Sequence, residues 1–144
     1  MAPSAGQSGN YVFTTQQKST TGGTLTTVSG TQTVAVNNSA DGSGTANISP
    51  TSTLAGTTNN TLDLTYTATT GGMASGGEVT MVVPANWSAP QTGTAATAGY
   101  TTANFNGGGF VTTNVTVSGS GPWLVTYTLT AALASGQTLI IRYG

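Results

Sequence analysis

The sequence predicts an all-β protein of antiparallel strands, because strand signals recur along the chain and helix signals are nearly absent. Thr, Gly, Ala, Ser, Asn and Val supply most of the 144 residues, and of these Thr, Gly, Ser, Asn and Val are poor helix formers. The best helical candidate, residues 129–134, is too short to stand alone. Short alternating runs separated by Gly, Asn, Ser or Pro are typical of a β-sandwich or barrel. A parallel sheet would need crossover helices, which the pattern lacks.

The first predicted strands lie in an N-terminal stretch that ends at a polar loop. They cover residues 11–15, 24–28 and 31–36, where Thr alternates with apolar or aromatic residues. The loop over residues 37–44 is rich in Asn, Ser and Gly and is the clearest linker in the chain. Residues 1–36 are therefore predicted to be a strand-rich extension, which either completes the sheet of its own domain or pairs with a neighbouring unit.

The rest of the chain, residues 37–144, is predicted to form the sandwich. The cleanest alternation covers residues 61–67, where Leu62, Leu64 and Tyr66 point one way and the residues between them point to water. The other predicted strands cover residues 45–49, 77–84, 100–106, 110–118, 123–130 and 137–143. The predicted core contains Ile48, Leu62, Leu64, Tyr66, Val79, Met81, Val83, Trp87, Val115, Val117, Val125, Tyr127, Leu139 and Ile141.

The composition excludes several classes of site and partner. Without His or Cys, the chain has no means to hold zinc, haem or an iron–sulfur cluster and no disulfide, and no cofactor is predicted. Its two cationic side chains are too few to neutralise a nucleic-acid backbone. The longest apolar run falls far short of the roughly 20 residues that span a bilayer, so no membrane insertion is predicted. The opening Met-Ala-Pro-Ser lacks the features of a secretory signal, which predicts either no export or an excised piece of a longer exported protein.

Several stretches resemble a repeat unit of very large bacterial secreted or surface proteins. They are NISPTSTLAG (47–56), NTLDLTYTA (60–68), GEVTMVVPANWSAPQ (77–91), AGYTT (98–102) and GQTLIIRYG (136–144). The earlier YVFTTQQKSTTGGTL (11–25) resembles the stretch that joins successive units of such arrays. The resemblance implies an immunoglobulin-like antiparallel β-sandwich with an N-terminal β extension. It also implies a secreted, non-catalytic role in an adhesin, stalk or filament.

Few residues could carry chemistry, and each has a plainer interpretation. Asp63 and Glu78 are the only candidates for a paired-carboxylate site, but the alternation places Asp63 on a solvent face. Modules that the chain resembles form a Lys–Asn or Lys–Asp amide bond with an acidic helper, which implies Lys18 as the amine and Asp63 or Glu78 as the helper. A solubilising edge lysine is the simpler interpretation of Lys18. The loop at Asp41 has too few carboxylates for calcium and is predicted to be a turn. The chain is predicted not to be an enzyme.

Aromatic residues and sequons suggest a second type of surface. Trp87, Tyr100 and Trp123 could stack on cell-surface glycans, but packing of Trp87 under its proline-rich loop is the favoured interpretation of that residue. Potential glycosylation sites, which chance alone could produce in an Asn/Thr-rich chain, are Asn37, Asn47, Asn59, Asn86 and Asn114.

The low charge predicts association between copies. The net charge is −1, and the predicted strands carry almost no Lys or Glu to block sheet-to-sheet pairing. The N-terminal stretch supplies a candidate assembly interface made of Tyr11, Phe13, Leu25 and Val34. The first hypothesis is therefore a structural module of an extracellular surface array, adhesin stalk or filament. The alternatives are a virion surface or decoration protein and a carbohydrate-binding module.

Overall fold

The structure, a computed structural model, describes residues 8–30, 32–37, 39–57 and 60–144. All regular structure in these ranges is β-strand, as the sequence predicts. No helix in these ranges is long and apolar enough to cross a membrane. The chain divides into two compact units, one up to Ser39 and one from Ala40 to Gly144.

The first unit is a β-ribbon, here called the N-terminal ribbon. Its strands are β1 (Gly9–Phe13), β2 (Gln16–Gln17), β3 (Thr26–Thr27) and β4 (Gln32–Val36). β1 pairs antiparallel with β4, and β2 pairs antiparallel with β3. The Val28 amide donates to the Thr15 carbonyl over 2.9 Å between the two pairs. Thr31, the first residue of the predicted third strand, lies outside the described residues.

The second unit, here called the C-terminal unit, contains two antiparallel sheets. Its strands are β5 (Gly44–Ser49), β6 (Leu62–Ala68), β7 (Glu78–Val83), β8 (Thr101–Phe105), β9 (Phe110–Val111), β10 (Val115–Gly119), β11 (Trp123–Thr128) and β12 (Thr138–Tyr143). One sheet has five strands in the order β5-β6-β12-β8-β9, and the other has three in the order β10-β11-β7. The two sheets enclose one apolar core in a sandwich-like arrangement.

Alternation along the strands builds that core. Val79, Met81 and Val83 are buried on β7, while the residues between them are exposed. Leu139 and Ile141 on β12 are 0% exposed, which fits the central place of β12 between β6 and β8. The other predicted core residues that are buried are Tyr66, Val115, Val125 and Tyr127, and Leu62, Leu64, Trp87 and Val117 are partly buried against the core.

Two sequence predictions about this unit are wrong. The run 110–118 is not one strand, because Asn114 adopts a left-handed conformation (φ 63°) and the chain changes sheet between β9 and β10. Ile48 does not belong to the closed core and is 40% exposed, because no strand of the three-stranded sheet reaches across to β5. As the sequence analysis expects, residues 129–134 form no helix, and Leu133 forms a β-bridge with Met73.

The chain enters and leaves the C-terminal unit at opposite ends of the sheet. Gly44, the first residue of β5, lies opposite Ala68, the last residue of β6. Tyr143, the last residue of β12, lies opposite Leu62, the first residue of β6. β5 and β12 therefore run in the same direction along a sheet about 20 Å long.

Candidate functional site

The three residues considered for covalent chemistry have separate local partners. The Lys18 ammonium is exposed in the ribbon turn and donates to the Thr21 carbonyl at 2.8 Å. Asp63 lies on β6 and Glu78 on β7, so the two carboxylates belong to different sheets. Glu78 Oε1 accepts from the Thr128 hydroxyl at 3.4 Å, on the outer side of the three-stranded sheet. The structure therefore does not bring the two carboxylates together.

Asp63 instead pairs with Arg142 across the β6–β12 ladder. Arg142 Nε donates to Asp63 Oδ1 at 2.8 Å, and its Nη2 donates to Asp63 Oδ2 at 2.7 Å. This hydrogen bonding raises the pKa of Arg142. The guanidinium also lies 3.8 Å from the centroid of the Phe110 ring, in a cation–π contact. The three side chains thus connect β6, β12 and β9 on the outer face of the five-stranded sheet. The sequence analysis did not predict this cluster.

Asp41 sits in a turn. Its Oδ1 accepts from the Ser43 amide at 3.0 Å, which is an Asx turn and which lowers the pKa of Asp41. The described residues contain no group of three or more His, Cys, Asp or Glu side chains that could hold a metal ion.

Trp87 and Tyr143 meet at the end of the C-terminal unit where β12 finishes. Their ring centroids are 6.1 Å apart in an edge-on arrangement. The Tyr143 hydroxyl donates to the Ser88 carbonyl at 2.8 Å, and burial raises the pKa of this phenol. Trp123 begins β11 opposite Val83, the last residue of β7, so it lies towards the same end. Sequence reasoning missed Tyr143 as a partner of Trp87 because they are far apart in the chain.

A groove of about 870 Å³ opens at this end of the C-terminal unit, here called the end groove. Its lining includes Leu54, Asn60, Asn86, Trp87, Thr97 and Tyr143. Among the described residues, no Asp, Glu, Lys or Arg side chain lines it. Of the three aromatic residues predicted to face a ligand, the groove includes Trp87 but neither Tyr100 nor Trp123.

The predicted sequons are spread over the chain. Asn86 lines the end groove, Asn47 is exposed on β5, and Asn37 is exposed after β4. Asn114 is exposed in the turn between β9 and β10, and Asn59 lies outside the described residues.

The inner side of β5 and β6 forms an incompletely covered apolar surface, here called the open flank (Ala46, Ile48, Leu62 and Leu64). Burial falls steadily outward from the centre of the five-stranded sheet. Ile141 on β12 is 0% exposed, Tyr66 on β6 is 8% exposed and Ile48 on β5 is 40% exposed. β10 approaches β8 across the core, so β11 and β7 face β12 and β6 and leave β5 without a strand opposite it. β7 pairs with β11 on one side and with no described strand on the other.

The predicted assembly residues lie in the N-terminal ribbon and are all exposed. The exposed fractions are 61% for Phe13, 52% for Leu25 and 51% for Val34, with Tyr11 at 37%. Tyr11 lies directly opposite Val34, and Phe13 is two residues further along β1. Because strand side chains alternate, these three share one face of the ribbon. An isolated two-stranded ribbon is at best marginally stable in water, and Phe13 and Val34 on this face are each more than half exposed.

No known protein family, curated protein or solved structure matches this chain. Function is therefore inferred from the two exposed apolar surfaces and the end groove.

Proposed function

We propose that this chain is a non-enzymatic structural module of an extracellular surface array, adhesin stalk or filament, built on an immunoglobulin-like sandwich. Neighbouring copies associate through β-strands and apolar contacts. The observation that carries the proposal is the N-terminal ribbon, which has no buried apolar residue among those described yet exposes Phe13, Leu25 and Val34. A surface of this kind gains free energy when another protein surface removes it from water.

The geometry of the C-terminal unit supports an end-to-end arrangement. β5 begins at the end of the sheet marked by Gly44, and β12 finishes at the opposite end, marked by Tyr143. Units joined or contacted at opposite ends extend in a line, whereas units that enter and leave at one end do not. This is the geometry that a stalk or filament requires.

The charge distribution favours association rather than repulsion. The whole chain carries five formally charged side chains and a net charge of −1. Two of the five, Asp63 and Arg142, neutralise each other across one sheet. Self-repulsion between copies is therefore weak at any ionic strength.

Analytical ultracentrifugation over a wide range of protein concentration tests the proposal. We expect reversible association that changes little with added salt, because the contacts are apolar and hydrogen-bonded. Val34→Lys should weaken it strongly, since it places an ammonium group on the apolar ribbon face. Thr33→Lys is the matched control, because Thr33 is the preceding residue and points to the opposite face. A strictly monomeric wild-type chain at every concentration would contradict the proposal.

A carbohydrate-binding module is the second candidate, and the end groove supports it. Neutral sugars are bound by aromatic faces with amide and hydroxyl neighbours, and the groove supplies Trp87, Asn86 and Thr97 without a charged side chain. A glycan-array signal that Trp87→Ala abolishes and Trp123→Ala preserves, with both variants folded, would support this function. A signal unaffected by Trp87→Ala would exclude the groove as its source.

A virion surface or decoration protein would use the same self-association in a different setting. The genes that neighbour the coding sequence distinguish a virion protein from a cell-surface protein, because virion genes cluster with other virion genes.

A further inference from the structure

We propose that the end groove is a preformed site for a neutral saccharide, and that Gln91 is the residue that positions one of its walls. The proposal rests on the carbohydrate-binding function given above as the second candidate, and it adds the residue that shapes the site. The wall is the loop over residues 91–100, here called the wall loop. Its residues 95–99 line the groove, whereas Gln91 does not.

Backbone hydrogen bonds close the base of the wall loop. The Gln91 backbone amide donates to the Gly99 carbonyl at 2.8 Å, and the Thr101 amide donates to the Gln91 carbonyl at 2.8 Å. Gly99 is buried with a φ of 83°, and a Cβ at this position would collide with the Ala89 carbonyl. Glycine is therefore needed for this close approach of the two backbones. The two ends of the loop are held together without any ligand.

The Gln91 side chain holds the interior of the wall loop. Its Oε1 accepts from the backbone amides of Gly93 and Thr94 at 2.7 and 2.9 Å. Its Nε2 donates to the carbonyls of Thr94 and Thr97 at 2.8 and 3.2 Å. A carboxamide has two acceptor and two donor positions, and all four are used here. One side chain thus fixes the backbone of an exposed stretch, residues 93–98.

Groups that suit a saccharide lie in the same groove. Asn86 is exposed there, and its side-chain amide has no hydrogen-bond partner among the described residues. The neighbouring Trp87 ring is held by its edge-on contact with Tyr143, with ring centroids 6.1 Å apart. Sugar hydroxyls donate and accept hydrogen bonds, and a carboxamide can do both in return. The described lining has no charged side chain, so a sulfated or carboxylated sugar would lose water there without gaining an ion pair.

A wall that is ordered before binding lowers the cost of binding. Ordering a mobile loop around a ligand subtracts from the free energy of the contacts, and preorganisation removes that cost. Loss of the Gln91 hydrogen bonds should therefore weaken binding, although Gln91 itself does not line the groove.

The probes are oligosaccharides on an array, with neutral glucans, galactans, mannans and xylans beside sialylated and sulfated glycans. We expect binding of at least one neutral glycan and loss of that signal in Trp87→Ala. Titration calorimetry with the strongest soluble neutral binder then gives the dissociation constants of the variants below. Binding confined to charged glycans would overturn the ligand class. Binding to no glycan would overturn this proposal together with the second candidate function.

The positioning role is tested by Gln91→Glu against Gln137→Glu, which add the same charge. In Gln91→Glu a carboxylate oxygen replaces the donor that faces the Thr94 and Thr97 carbonyls. We expect this variant to bind the saccharide at least about tenfold more weakly at pH 8, because two hydrogen bonds become repulsive contacts. Gln137 precedes β12 at the end of the sheet away from the groove, and its Oε1 accepts from the Ala134 amide at 2.7 Å. A carboxylate retains that contact, so Gln137→Glu should change the affinity by less than about twofold, and equal affinities of the two variants would overturn the role of Gln91.

Acidification separates a lost donor from a damaged fold. At pH 5 the carboxyl group introduced by Gln91→Glu, which faces backbone carbonyls, regains a proton and with it a donor. Its affinity should then rise towards the wild-type value. The wild-type affinity should be equal at pH 5 and pH 8, because the titratable side chains of the wall loop and the described groove lining are the phenols of Tyr100 and Tyr143, and phenols titrate near pH 10. A loss in folded Gln91→Glu that is the same at both pH values would overturn the positioning role and leave carbohydrate binding in place.

Amide hydrogen exchange tests whether the wall is formed before binding. The Gly93 and Thr94 amides donate to Gln91 Oε1, so they should be protected in the free protein and remain so when the neutral oligosaccharide is added. Protection that appears only with bound oligosaccharide would overturn the preformed site.

Discussion

The difference in burial between Ile141 and Ile48 gives a sharp prediction about stability. The two residues are chemically identical and both point to the inner side of the five-stranded sheet, but Ile141 is 0% exposed and Ile48 is 40% exposed. Ile141→Ala should cost about 4 kcal/mol of unfolding free energy, because it removes buried carbon atoms and leaves a cavity in the closed core. Ile48→Ala should cost about 1.5 kcal/mol, because about 60% of the side chain is buried and the flank is open to water.

Urea denaturation of the dilute chain measures this difference. With a denaturant dependence of about 1.5 kcal/mol per molar urea, the difference of about 2.5 kcal/mol should separate the two midpoints by about 1.7 M. The dilute condition keeps any association between copies out of the measurement. Equal midpoints for the two variants at low concentration would refute the conclusion that the three-stranded sheet stops short of β5.

Three further predictions concern named contacts of the C-terminal unit. Gly44→Ala should lower the free energy of unfolding by about 2 kcal/mol or more, because a Cβ there would lie 2.6 Å from the Thr67 carbonyl oxygen and against the Tyr66 ring. Thermal unfolding measures the loss. Gly93→Ala is the neutral control, because the nearest atom to its Cβ would be 3.6 Å away. Asp63→Asn should cost only about 0.5–1 kcal/mol, because Arg142 and Asp63 are 41% and 27% exposed, and the cost should shrink in high salt. Burial raises the pKa of Tyr66 and Tyr143 above the ordinary value of 10.0. The free energy of unfolding that these two neutral phenols contribute is therefore complete below pH 10, and it is lost as the pH rises through their folded-state pKa. Thermal unfolding should therefore be nearly flat from about pH 5 to 9 and fall in more alkaline solution, and a steep change below pH 9 would contradict it.

The local alternation of apolar and polar residues along the strands was sufficient to predict the fold class and most of the core. On β7 and β12 the alternation of apolar and polar residues identified the buried face, because side-chain direction along a strand depends only on local geometry. Met73 and Leu133 escaped prediction because they lie outside the strands and become buried through one bridge between distant loops. Thr101 also escaped, since its hydroxyl is satisfied by the Gly99 carbonyl at 2.9 Å, which lets a polar residue lie at 0% exposure.

The sequence indicated only one of the two exposed apolar surfaces of the C-terminal unit and the ribbon. The ribbon face was predicted from its aromatic and branched residues, and those residues are exposed. The open flank was not predicted, because it arises from the unequal widths of two sheets, and sheet width depends on strand order rather than on local pattern. The same limit explains why Ile48 was assigned to the core.

The most direct test of self-association through the N-terminal ribbon is an isotope-filtered nuclear Overhauser experiment on a mixed sample. One population carries labelled methyl groups and the other is unlabelled, so only contacts between copies give a signal. We expect intermolecular cross-peaks from the methyl groups of one copy to the Phe13 ring protons of another. A sample in which association is complete but the Phe13 ring shows no contact with another copy would contradict the proposed function.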